Sequence, residues 1–142
     1  MRGAPRRNVH WFLWPYRVLL TLVALLCYLQ AILAGQFLSG TYGSLLAHQN
    51  TAAVIDMLLI LAIPTALVIT LWGRRPWWPV LFAAGLLGLT STQNWLGFGR
   101  ILTVHVPLGV AIVIAATGVA AWAWRASPRA DAAPVGTPGT DR

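Results

Sequence analysis

Residues 18–38 contain no Asp, Glu, Lys, Arg or His. Coiled as an α-helix, a run of this length reaches about 30 Å, the thickness of a bilayer's hydrocarbon core. Three further apolar stretches follow it along the chain. Inside a membrane every backbone N–H and C=O needs a partner within the protein, and continuous apolar runs of this length meet that demand as helices. Four transmembrane helices are therefore expected, over residues 17–38, 45–72, 78–95 and 101–124. Ser44 is placed to cap the second helix, Pro64 to kink it, Pro79 to sit in the first turn of the third, and Pro107 near the start of the fourth. The basic start and the small residues around 31–35 resemble a signal peptide, but the apolar run is longer than a signal core. The expected organisation is an interfacial segment over residues 1–16, a four-helix membrane domain over 17–125 and a disordered tail over 126–142.

Composition agrees with a lipid environment: 58% of the residues are apolar and 9% charged, a balance outside the soluble range. The net charge of +7 arises from arginines set against Asp56, Asp131 and Asp141. Such an excess suits nucleic acid when it forms a stripe, whereas these arginines cluster at the ends of apolar runs. Arg2, Arg6, Arg7 and Arg17 precede the first run, Arg74 and Arg75 separate the second from the third, and Arg125 and Arg129 follow the fourth. The opposite loops hold Arg100 alone. By the positive-inside rule both termini are cytoplasmic, in what reads as a bacterial plasma membrane protein meeting anionic lipid headgroups and no nucleic acid. Tryptophan follows the same asymmetry, with Trp11, Trp14, Trp72, Trp77, Trp78, Trp122 and Trp124 on the arginine-rich side and Trp95 on the other.

A shift of 57 positions superposes Gln36, Gly40, Leu45 and His48 on Gln93, Gly97, Leu102 and His105. The common pattern, Q-x3-G-x7-H, falls at corresponding places in the two halves, as expected of a duplicated helical hairpin. The second and fourth helices run in the same direction, so the two imidazoles lie at similar depth in the outer half of the membrane and can face one another across the bundle. Four residues after each histidine, on the same helical face, stands a small residue, Ala52 and Gly109. That leaves space for a flat ligand, and glycines 35, 40, 43, 97 and 99 permit close backbone approach at the same end. Gln36 and Gln93 either orient the imidazoles or bond helix to helix. Arg100 either meets a carboxylate of a bound group or is a solvated loop residue.

These residues resemble a family. QFLSG with His48 and QNWLG with His105 look like the four-helix haem-binding half of heme A synthase, and like small bacterial four-helix membrane proteins related to it, over residues 19–124. The resemblance implies a b-type haem held in cytochrome b fashion, with His48 and His105 as axial ligands. It does not imply the synthase reaction, because that family pairs two such halves and keeps an acidic residue beside a histidine, whereas this chain has one half and no Glu.

Three functional readings follow. The first is a haem protein for electron transfer or haem handling, with a redox partner. The second is a cofactor-free accessory or structural subunit of a larger membrane complex, a role compatible with homo-oligomers. The third is a small proton-coupled transporter built on Asp56, the one carboxylate within a span and a costly group to place there. Asp56 lies two helical turns beyond His48, about 12 Å deeper, too far to share an ion with it. It serves either proton transfer or, hydrogen-bonded, helix packing.

Overall fold

The computed structural model describes residues 10–73 and 76–125. It is all-helical, with α1 His10–Leu38, α2 Ser44–Gly73, α3 Trp78–Phe98 and α4 Leu102–Arg125. The helices run alternately up and down, and each packs on its neighbours in the cyclic order α1, α2, α3, α4. The bundle is thus square in section, with α2 and α4 on one diagonal. One end carries the two short hairpin loops; the other carries the start of α1, the end of α4 and the α2–α3 connection.

Three helices, α1, α2 and α4, are long and apolar enough to cross a membrane. The 21 residues of α3 reach about 31 Å, but Thr90, Ser91, Thr92, Gln93 and Asn94 make its second half more polar. Large apolar side chains such as Leu25, Ile60, Val110 and Ile114 point outward, as a lipid-facing surface requires. The interior is built from Leu20, Val23, Leu59, Ile69 and Leu86, interleaved with Ala62, Ala66, Ala83, Ala116 and Ala120. Hydrocarbon gives apolar side chains no reason to leave it, so small residues that let helices approach closely supply the packing.

The first helix starts seven residues before the hydropathy pattern places it, with Pro15 inside it. Tertiary contacts explain why the proline is accommodated. Leu13 and Tyr16 are buried in the bundle, and the Tyr16 hydroxyl donates to the Pro79 carbonyl at 2.8 Å. From the next residue, Arg17 Nε donates to the Ala123 carbonyl at 2.9 Å, and its guanidinium lies 5.2 Å from the Trp124 ring centre. Trp124 itself donates to Thr21 Oγ1 at 3.0 Å and meets Trp14 edge to face. The tryptophan-rich end is therefore a clasp that closes α1 on α3 and α4. The expectations for residues 1–9, Arg74, Arg75 and the tail from 126 lie outside the described residues.

Both hairpin loops begin in the same way. Thr41 N–H bonds the Gln36 carbonyl and Gly40 N–H the Phe37 carbonyl; Ile101 N–H bonds Leu96 and Arg100 N–H bonds Gly97. This is the Schellman termination, which needs a left-handed residue just beyond the helix. Gly40 (φ 96°) fills that place in one loop and Arg100 (φ 56°) in the other. Ser44 does not cap α2 as expected: it is the helix's first residue, and its hydroxyl donates to the Thr41 carbonyl at 2.7 Å.

Candidate functional site

Near the hairpin end, His48 on α2 and His105 on α4 meet across the diagonal with ring centroids 6.3 Å apart and planes inclined by 57°. Each ring is held by a glutamine on the preceding helix. Gln93 Nε2 donates to the His105 carbonyl at 2.7 Å, and His105 Nδ1 lies 3.0 Å from the Gln93 carbonyl. Gln30 Nε2 donates to the His48 carbonyl at 3.0 Å, and His48 Nδ1 lies 3.2 Å from the Gln30 carbonyl. A carbonyl can only accept, so both Nδ1 atoms carry a proton, and in the neutral form of each ring Nε2 keeps a lone pair. The two halves thus present equivalent histidine–glutamine rings.

The ungapped repeat points to Gln36 as the partner of His48, and Gln36 instead lies exposed near the end of α1. Gln30, almost two turns earlier, makes the contact. The reason is length: α1 runs eight residues past Gln30 and α3 five past Gln93, and the first loop is also longer. Gly40 likewise corresponds in conformation to Arg100 and not to Gly97. Of the glycines expected to admit close approach, Gly97 does so: a Cβ there would stand 2.9 Å from His105 Cε1. Gly109 gives its space to Gln93, whose Nε2 would be 2.9 Å from an added Cβ. Gly35, Gly40 and Gly43 back onto open space. Arg100 is exposed in its loop.

The two rings line a cavity of about 60 Å³, with Ala52 and Gly109 in its walls as the spacing suggests, and with Cys27, Gln30, Gln93, Thr90 and Asn94 besides. Gln30 Oε1 and Gln93 Oε1 are buried with no hydrogen-bond partner among the described residues. Such orphan acceptors are costly and mark a place where a donor from outside the protein is wanted. Below the cavity Asp56 is held by two neutral donors on α3, Thr90 Oγ1 to Oδ1 at 2.5 Å and Asn94 Nδ2 to Oδ2 at 2.8 Å.

Among the described residues, no three His, Cys, Asp or Glu side chains come together to hold a metal ion by themselves. The donor set is the imidazole pair. Two imidazoles on opposite sides of one metal, each with about 2.0–2.1 Å from nitrogen to metal and about 1.1 Å from nitrogen to ring centre, have centroids about 6.3 Å apart. The observed centroid separation equals that sum, and His48 and His105 are the residues that would hold a metal ion between them. The 60 Å³ cavity is too small to enclose a porphyrin. No family model, curated protein or solved structure matches the chain.

Proposed function

We propose that the chain is a four-span bacterial plasma-membrane protein with cytoplasmic termini that binds one b-type haem through His48 and His105, for electron transfer or haem handling. The observation that carries this reading is the pair of imidazoles at metal-bridging separation, each fixed by a carbonyl in the tautomer that leaves Nε2 unprotonated. The carbonyl behind each ring both orients it and raises its basicity, as partners of ligating histidines commonly do. The resemblance to the haem-binding half of heme A synthase points the same way. A bound haem, held by His48 and His105, would supply a one-electron couple, and with two histidines as its ligands it would suit electron transfer better than oxygen activation. The chain's part is to fix the two rings, exclude lipid from between them and set the local polarity through Gln30, Gln93 and Asp56.

The small volume of the cavity is the observation that favours the cofactor-free reading, in which the histidine–glutamine rings serve only to lock α1 to α2 and α3 to α4. Visible spectra separate the two. Protein purified in mild detergent from haem-sufficient cells should show a low-spin b-type spectrum, oxidised and dithionite-reduced, which the His48→Ala, His105→Ala double variant lacks. A wild-type protein that stays colourless after haem addition, and whose double variant assembles normally, establishes the packing role instead.

A further inference from the structure

The hydrogen bonding around Asp56 is satisfied in either protonation state. Thr90 has one hydroxyl proton and two acceptors within reach, Asp56 Oδ1 at 2.5 Å and the Leu87 carbonyl at 3.1 Å. With Asp56 ionised, Thr90 donates to the carboxylate. With Asp56 protonated, the acid donates to Thr90 Oγ1, and the threonine proton turns to Leu87. Asn94 donates to Oδ2 in both cases. No heavy atom has to move, so neither form leaves a buried polar group unpaired, the usual penalty for changing charge inside a membrane.

The surroundings give this carboxyl a one-sided route. Thr90 and Asn94 also line the histidine cavity, whose 60 Å³ holds roughly two water molecules. Gln30 Oε1 and Gln93 Oε1 are the unpaired acceptors such waters would bond. Towards the terminal end the buried residues of α2 are Leu59, Ala62, Ala66 and Ile69, with Thr70 beyond them, and those of α3 are Leu86, Ala83 and Pro79. Along α2 and α3 the polar side chains next to the cavity therefore end at Asp56, with apolar residues following it towards the terminal end.

We propose that Asp56 is a proton-exchange site that takes up and releases one proton through the His48–His105 cavity, from the hairpin end of the bundle. The step is a simple transfer: a proton from bulk water passes along cavity water to the Thr90 hydroxyl oxygen while the threonine's own proton moves onto the carboxylate, and no electron is involved. Other titratable groups face the same cavity, Cys27 from α1, His48 from α2 and His105 from α4, while α3 contributes the neutral Thr90 and Asn94. This inference concerns the haem-free chain, because a haem held between His48 and His105 would occupy the space that the water takes.

The test is infrared spectroscopy of the full chain in its haem-free form, checked by the absence of visible absorption. A protonated-carboxyl band should grow and fade reversibly with pH, be absent from Asp56→Asn, and shift on transfer to heavy water. Filling the cavity with Ala52→Leu should slow that shift by about tenfold or more. Val113→Phe, which fills it from α4, should do the same and serves if the first variant does not fold. A band that never titrates, one that survives in Asp56→Asn, or exchange as fast in both filled variants as in the wild type overturns the proposal.

Discussion

Gln30 and His48, eighteen residues apart on successive helices, exchange two hydrogen bonds, the glutamine amide donating to the histidine carbonyl and the ring Nδ1 bonding back to the glutamine carbonyl. Gln93 and His105 make the same ring at a separation of twelve. Because both bonds use backbone carbonyls, each ring fixes the height of one helix against the next as well as the orientation of an imidazole.

Replacing Gln30 with Ala should therefore weaken the protein by about 1 kcal/mol, the typical worth of one hydrogen bond, and lower haem retention. Gln36→Ala, at an exposed position, should change neither. Thermal unfolding in detergent and haem content, measured on both variants, check this pair. Equal effects at the two positions would count against the geometry and for the ungapped repeat.

Gly97 is one of the two tightest points of the site, with Gly109 the other. An added methyl at Gly97 meets His105 Cε1, so Gly97→Ala should displace the ring and cost about 1–3 kcal/mol, the usual penalty for overpacking. Gly35→Ala, on the same end of the bundle with nothing within 4 Å, should instead stabilise α1 by about 0.5–1 kcal/mol through helix propensity. Thermal unfolding of the two variants reads both signs in one experiment.

Arg100 occupies a left-handed position normally given to glycine. Arg100→Gly should raise stability by about 1 kcal/mol by removing that strain. If its guanidinium meets a haem carboxylate, the same variant should hold haem less tightly while unfolding later, and the opposite movement of the two readouts identifies that role.

Much of this was legible from the residues. Helices α2, α3 and α4 begin within one residue of the positions that hydropathy gives, because long uncharged runs bounded by Arg, Gly and Trp leave little freedom in a membrane. The histidine pair was legible because two of three histidines sit at matching starts of parallel helices. Gln30 was not: finding it requires the phase of α1 against α2, which depends on loop and helix lengths that an ungapped repeat holds constant. Nor was the helical turn around Pro15, since the contacts that offset the proline come from Pro79 and the body of the bundle. The partners of Asp56 were hidden for the same reason, as Thr90 and Asn94 lie 34 and 38 residues away on another helix.

The most direct measurement of the central claim is haem stoichiometry, determined by quantitative haem extraction against protein concentration, for the wild type, His48→Ala, His105→Ala and Gln36→Ala. The account predicts one haem per chain in the wild type and in Gln36→Ala, and loss from each single histidine variant. Wild-type protein that takes up no haem, or single histidine variants that retain it fully, would contradict the assignment of these two imidazoles as ligands.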